Sequence, residues 1–262
     1  MAVRTGNSQS LERGLAILSA FKPDAPELGI AELARELGLS RSTSHRYVST
    51  LARLGFLDQN ARTRKYRLGP RVLDLGFAAI NSMELRQISA PHLQQLADDT
   101  GHTVNMGILD GADVVYIERC RTSQPGQREI DLNLHVGSRL PAYCTSMGKV
   151  LLAHLDPELL EEELSRIELV DRGPNTITTT ARLAEELRRV RERGVAVNNE
   201  ELAYGLRSIA VPVRGQGSEV VAAINLAVHR SAASIEDLVD RLSPKMQRAA
   251  AGISTLLGYR PG

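Results

Sequence analysis

Two groups of side chains in this 262-residue chain have the types and spacing to do chemistry. The first is Arg41, Ser42, Thr43, His45, Arg46, Thr50 and Arg53, which are left outside a helix beginning at Arg41 once its apolar positions turn inward. Ser and Thr hydroxyls reach phosphates or base edges, and an arginine holds guanine through two hydrogen bonds in the major groove. No carboxylate shares that face. The second group is Ser146 and Lys149, at the Ser-x-x-Lys spacing of serine acyl-transfer enzymes, where one helical turn brings the amine to the hydroxyl. Four-residue patterns arise easily by chance, and neither a Ser-Asp-Asn nor a Lys-Thr-Gly partner accompanies this one. An acyl-transfer enzyme with a DNA-binding appendage is therefore the alternative, and a non-enzymatic role is expected, with Lys149 capping or solubilising its helix.

The cationic group needs a scaffold, and the flanking residues describe one. Ile30, Leu33, Ala34 and Leu37 line one face of a helix. Gly38 ends it, Leu39 enters the core, and Ser40 caps a second helix in which Tyr47, Val48, Leu51 and Leu54 repeat the buried spacing. This is a helix-turn-helix. Residues 56–59 and 65–68 have strand character around a turn at 60–63, a hairpin placed where a wing belongs. Arg62, Arg64, Lys65 and Arg67 make it basic, suited to the phosphate backbone. A preceding helix is expected over 10–21, capped by Ser10, with Leu11, Leu15 and Leu18 on one side and Pro23 and Pro26 as stops.

Charge is partitioned in the same sense. Residues 1–83 carry twelve Lys or Arg against seven Asp or Glu, a balance of +5, while residues 84–262 carry twenty against twenty-four, a balance of −4. The asymmetry suits a basic module that meets nucleic acid and a remainder that does not. After Pro70, the run RVLDLGFAAINSMEL leaves little polar surface on its helix, so it must bury both sides, one of them against a partner subunit. A homodimer is expected. It would present two reading helices to two half-sites.

Other classes are disfavoured. No apolar run of about eighteen residues is present to span a membrane. MAVRTGNSQSLERG lacks the apolar stretch of a secretory signal, and Cys120 and Cys144 have neither metal-type nor redox-type spacing, which favours the cytoplasm. The histidines form no His-x-x-x-His pair, so no metal and no cofactor are expected.

Beyond residue 88 the pattern changes to a helix APHLQQLADDTG, strands VNMGILD, DVVYIERC and REIDLNLHV, helical segments, strands within VAVNNEEL, SIAVPVRG and VVAAINLAV, and a last helix over 235–257. ILDGADVV and VRGQGSEVV place Gly and Asp at hairpin turns. The fold class is α+β, built on an antiparallel sheet.

VGSRLPAYCTSMGKVLLAHL at 136–155 and RERGVAVNNEELAYGLRSIAVPV at 191–213 resemble the IclR family of bacterial transcription regulators, and the likeness runs over nearly the whole chain. LPAYCTSMGKVLLA and AINLAVH look most like the Pca and Pob type branch, which controls aromatic-acid breakdown through the β-ketoadipate pathway. The resemblance implies a winged helix-turn-helix over 1–70, a linker helix over 71–87, and a GAF-like effector and oligomerisation domain over 88–262. It also implies a double-stranded DNA operator, dimers or dimers of dimers, a small organic acid as effector, and RNA polymerase as a further candidate partner. Effector contacts map onto Ser146, Met147, Asn198, Ser208 and Asn225. The helix near Thr145 would add backbone N–H groups that attract a carboxylate. Ser208 and Asn225 could equally satisfy buried backbone groups, and Asn198 could form a turn. Arg119 and Arg207 are expected to brace carboxylates such as Glu201. Two positions depart from the family pattern: Ser44, where an apolar residue is usual, and Asn198, where an acid is common. An architectural DNA-binding protein without a ligand is the remaining alternative.

Overall fold

The computed structural model describes residues 8–22, 24–123 and 133–260. They divide into two compact units, Met1–Ser82 and Met83–Gly262.

The first unit contains α1 (Gln9–Ser19), α2 (Ile30–Glu36), α3 (Arg41–Arg53), the hairpin strands β1 (Leu57–Gln59) and β2 (Tyr66–Leu68), and α4 (Arg71–Asn81). The turn between α2 and α3 follows the expected chemistry. Gly38 takes φ 63°, a left-handed value that costs glycine nothing. Ser40 Oγ then accepts the Thr43 N–H at 3.1 Å and caps α3. Leu33, Val48, Leu57 and Tyr66 close the core with Ile17 of α1.

Three sequence expectations need correction in this unit. Helix α1 is anchored by Ile17, and of the expected leucine stripe only Leu18 packs on the core, while Leu11 and Leu15 are 63% and 55% exposed; Ser8, not Ser10, occupies the cap position. Pro23 lies outside the described residues. In α3 the inward positions are Ser44 and Val48, with Tyr47 and Leu51 packed beside them, whereas Leu54 is 40% exposed. The run expected to form one linker helix over 71–87 is two helices. Helix α4 stops at Asn81, Ser82 Oγ turns back to the Ala79 carbonyl at 2.9 Å, and Met83 is extended before α5 (Glu84–Thr100) begins. Helix α5 starts at Glu84, earlier than the expected start at Ala90, and continues through Pro91.

The second unit is an antiparallel sheet in the order β5-β4-β3-β8-β7-β6, with β3 (Val104–Asp110), β4 (Asp113–Cys120), β5 (Arg139–Pro141), β6 (Ala196–Asn199), β7 (Leu206–Arg214) and β8 (Val220–His229). Helices cover both faces. Against one face, α5 and α10 (Ser243–Leu256) bury Leu93, Met246 and Ile253 on Met106, Ile209, Val211, Ile224 and Leu226. Against the other, α6 (Ser146–Ala153) and α8 (Thr180–Arg193) bury Val150, Leu152, Leu183 and Leu187. Strand side chains alternate between faces, and the face under α6 carries Ala196, Ala210 and Ala223, whose small size admits the helix. Helix α7 (Pro157–Arg166) lies between α6 and α8 in the chain. The close approach is set by Gly148, where an added Cβ would lie 2.1 Å from the Ala142 carbonyl oxygen.

The hairpin turn at Gly111-Ala112 forms as its sequence demands, with Gly111 at φ 58°. Of the strand expected over 128–136, residues 128–132 lie outside the described set, and 133–136 form no strand; the short edge strand β5 follows instead. The last helix is interrupted. After α9 (Ile235–Asp237), residues Leu238–Leu242 form a wider π-type turn ahead of Pro244, which has no N–H to continue an α-helical ladder.

Ser44 is fully buried, and its Oγ has no hydrogen-bond partner among the described residues. Removing an unsatisfied hydroxyl and gaining the helix propensity of alanine should make Ser44→Ala more stable by about 1 kcal/mol. Urea unfolding followed by circular dichroism measures this, and a destabilised variant would show that the hydroxyl has a partner in solution.

Candidate functional site

In the first unit, α3 presents Arg41, Ser42, His45, Arg46, Thr50 and Arg53 outward, with Thr43 half-buried. Some of these hydroxyls are already committed. Thr50 Oγ1 donates to the Arg46 carbonyl at 2.9 Å, and Thr43 Oγ1 accepts from Ser40 Oγ at 2.8 Å. The Arg46 guanidinium lies 5.7 Å from the Tyr47 ring centroid, which holds its plane without neutralising it. In the hairpin, Asn60 Oδ1 accepts the N–H groups of Arg62 and Thr63, an Asx turn that fixes the tip. Arg62, Arg64 and Arg67 are exposed, and among the described residues they form no ion pair. Lys65 is different: its Nζ sits 2.9 Å from Glu32 Oε1, and that carboxyl is held below its ordinary value by the Gly29 backbone N–H and by Lys65. Part of the wing charge is thus spent inside the protein.

In the second unit, a cavity of about 30 Å³ opens on the α6 face of the sheet. That is room for water rather than for a ring, so a larger ligand enters only if the walls move. Its polar wall is a row across three strands. Arg119 of β4 donates through Nη1 to Asn105 Oδ1 of β3 at 3.1 Å, and Asn105 Nδ2 donates to Asn225 Oδ1 of β8 at 2.8 Å. The three are register partners, Asn105 opposite both Arg119 and Asn225. Thr103, Tyr116, Thr145, Asn198 and Ser208 complete the polar lining, and Leu134, Leu140, Leu202, Leu206 and Ala227 are its apolar members. Burial pushes the Tyr116 phenol up to about 12, so it remains protonated throughout the neutral range.

Arg119 reaches this face because of a bulge. Opposite β3, Met106 pairs with Glu118 but Gly107 pairs with Tyr116, leaving Ile117 without an opposing residue. Ile117 packs on the α5 side, and Glu118 meets Arg86 of α5 at 2.9 Å. The extra residue shifts the alternation so that Tyr116 and Arg119 share the cavity.

Of the five effector positions expected from sequence, Asn198, Ser208 and Asn225 line the cavity. Ser146 stands behind Ser208, their hydroxyls 2.8 Å apart, and Met147 is fully buried in the α6 core. Asn198 works in both directions, donating to the Cys144 carbonyl at 2.7 Å and accepting the Glu201 N–H at 3.0 Å. Arg119 does not brace Glu201, and neither does Arg207, which bonds Asn199 Oδ1 and the carbonyls of Arg230 and Ala233. Lys149 fills that role. It is 1% exposed rather than a solubilising residue, and its amine meets Glu201 Oε1 at 2.7 Å and Glu186 Oε1 at 3.2 Å. Burial raises the Glu201 carboxyl from its ordinary value while Lys149 pulls the other way. With its amine so engaged and Ser146 turned to Ser208, the pair is not arranged for proton transfer. Burial likewise raises the Cys120 and Cys144 thiols to about 11, so both stay protonated and unreactive near neutrality. Among the described residues no cluster of His, Cys, Asp or Glu is arranged to hold a metal ion, and no helix is long and apolar enough to cross a membrane.

Residues 10–61 match the IclR helix-turn-helix domain, and residues 77–255 match the bacterial transcriptional regulator IclR C-terminal domain. The chain belongs to the IclR family. This IclR-family protein is a DNA-binding transcription regulator, and its relatives carry the names of regulators rather than of enzymes. It is 38% identical to the Pca regulon regulatory protein of Pseudomonas putida, over 92% of this chain and 81% of the relative. It is 32% identical to the p-hydroxybenzoate hydroxylase transcriptional activator of Acinetobacter baylyi, over 94% and 91%. Among solved structures, an IclR homolog from Microbacterium hydrocarbonoxydans complexed with 4-hydroxybenzoate superposes with a TM-score of 0.79 at 28% identity, covering 95% of this chain and 99% of that one.

The polar row makes a quantitative claim. Asn105→Leu or Asn225→Leu alone leaves a buried amide without its partner and should cost about 1–3 kcal/mol, while the double variant should cost less than the sum. A double-mutant cycle in urea measures the coupling; strict additivity would show that the two amides do not bond.

Proposed function

We propose that this IclR-family regulator binds a two-fold related operator through α3 and the β1–β2 wing, and that a small aromatic hydroxy acid in the cavity of the second unit controls that binding. The observation that carries the reading is the Arg119–Asn105–Asn225 row: a guanidinium and two amides lining one cavity together with leucines suit a carboxylate on an apolar ring. The naming of relatives for the Pca regulon and p-hydroxybenzoate hydroxylase, and the 4-hydroxybenzoate in the Microbacterium homolog, support the aromatic class. The protein acts in the cytoplasm, where its operator lies. Control needs only differential binding: an effector that prefers one arrangement of the protein changes operator affinity, and the operator changes effector affinity by the same factor.

Arg41, Ser42, Thr43, His45, Arg46, Thr50 and Arg53 are the base-reading and phosphate contacts in this scheme, and Arg62, Arg64, Lys65 and Arg67 the wing contacts. A homodimer follows from the outward apolar surface of the first unit, where Leu73, Leu75 and Phe77 of α4 are each about 60% exposed. Such a surface is stable in water only when covered. A dimer of dimers and contact with RNA polymerase extend the same scheme.

Calorimetry on the full chain with 4-hydroxybenzoate, 3-hydroxybenzoate, protocatechuate and β-ketoadipate tests the effector. Saturable binding of one acid is expected, weakened about 10- to 100-fold in Arg119→Met, the cost of a lost charged hydrogen bond. Heat from none of the four would remove the aromatic assignment and leave the DNA-binding role standing.

Binding to duplex DNA across a salt series tests the wing. Arg64→Ala should lower the salt slope by roughly one and weaken all sequences alike. Lys65→Ala should lower it less, because Glu32 already holds that amine. Equal slopes for the two variants would place Lys65 on the phosphates after all.

A further inference from the structure

Leu202 and Leu206 stand on the cavity wall, yet the chain between them belongs to no strand: β6 ends at Asn199 and β7 starts at Leu206. Residues 200–205 form a strap. Glu200 at φ 59° and Gly205 at φ 80° turn its two ends, and Glu200 Oε2 accepts the Gly205 N–H at 2.9 Å, closing the strap on itself. Arg230 holds the strap's two ends, its N–H donating to the Gly205 carbonyl at 2.8 Å and its guanidinium meeting the Glu200 carboxylate at 3.3 Å, and on the α6 side the strap is tied by Glu201. Its N–H goes to Asn198 Oδ1 at 3.0 Å, its carbonyl receives Thr176 Oγ1 at 2.6 Å, and its carboxylate receives Lys149 Nζ at 2.7 Å.

Lys149 is the common point. The same ammonium donates to the Val197 carbonyl at 2.5 Å and to Glu186 Oε1 at 3.2 Å, so one cation joins α6, α8, β6 and the strap. Three of these attachments lie next to the cavity: Thr145 caps α6, Asn198 follows Val197, and Leu202 follows Glu201. A pair so deeply buried is a poor source of net stability, since two apolar side chains of similar volume do as well or better. Glu201 Oε2 also has no hydrogen-bond partner, a further cost. An apolar pair, however, has no preferred direction, whereas an ammonium with three fixed acceptors holds the strap at one place.

We propose that Lys149 is a positioning residue for effector selection: by holding Glu201 it fixes the strap, and Leu202 with it, at the cavity wall, and so limits the width of acid that the cavity takes. The selection half of this inference rests on the cavity being the effector site. The strap half does not.

The test is a variant of the full chain carrying Lys149→Met and Glu201→Leu together, which removes both charges at once. Lys149→Met alone would strand a buried carboxylate and risk unfolding. The double variant should melt within about 5 °C of wild type, showing that the pair is not what holds the unit together. Hydrogen exchange without ligand should then run at least roughly tenfold faster at the amides of Glu201, Gly205 and Leu206, with β8 unchanged. Unchanged exchange in the strap overturns the proposal, whatever the cavity binds. In calorimetry, wild type should prefer 4-hydroxybenzoate to the wider 6-hydroxy-2-naphthoate, and the ratio of the two dissociation constants should fall at least about tenfold in the variant. An equal ratio in both proteins overturns the selection role. A wild-type chain that binds neither acid overturns the selection half, the four-acid series decides the effector reading, and the exchange experiment still decides whether Lys149 holds the strap.

Discussion

Polar side chains inside a sheet have no water to turn to, and in the second unit this requirement decides where everything else goes. Asn105 can be buried at 1% exposure because Asn225 and Arg119 face it across the strands. Their pairing fixes the register of β3 against both neighbours, and the register in turn sets which residues of β7 and β8 look toward α6. Alanines at 210 and 223 then let α6 approach, and Gly148 lets its first turn lie against the Ala142 backbone. The cavity is what remains where polar residues replace those alanines. It is therefore a by-product of hydrogen bonding as much as of shape.

The first unit solves a different problem with different means. Its core is small, a handful of side chains around Leu33 and Val48, and among the described residues the arginines of its outer surface form no ion pair. Repulsion among those arginines is a cost carried by the free protein and relieved when an anionic surface arrives. The second unit shows the opposite economy: among the described residues its buried charges, Lys149 with Glu201 and Arg86 with Glu118, are paired.

The sequence was most readable where local chemistry decides local structure. Gly38, Ser40 and the apolar spacing of α2 and α3 specify the helix-turn-helix by themselves, and Gly111 and Asn60 specify their turns. Asn105 could have been found from alternation, since Val104 and Met106 go to one face and leave it facing the other. Arg119 could not. The bulge at Ile117 breaks the two-residue period, and nothing in DVVYIERC announces it. Lys149 was misread for a related reason: a lysine four residues into a helix looks solvated unless its partners, 37 and 52 residues away, are known to converge on it. The break between α4 and α5 was hidden because apolar residues continue on both sides of it.

The unpaired Ile117 has a further implication for how such a regulator diversifies. Substituting Arg119 changes one side chain, but straightening the bulge with Ile117 retained, so that Ile117 pairs with Met106, would slide the strand beyond it by one residue and exchange its two faces. Glu118 would turn into the cavity and Arg119 out of it, inverting the sign of the charge offered to a ligand in one step. A frame change of this kind, too short to disturb the hairpin at Gly111, offers a route from an acid-sensing regulator to one that senses amines, without passing through any intermediate that must sense both.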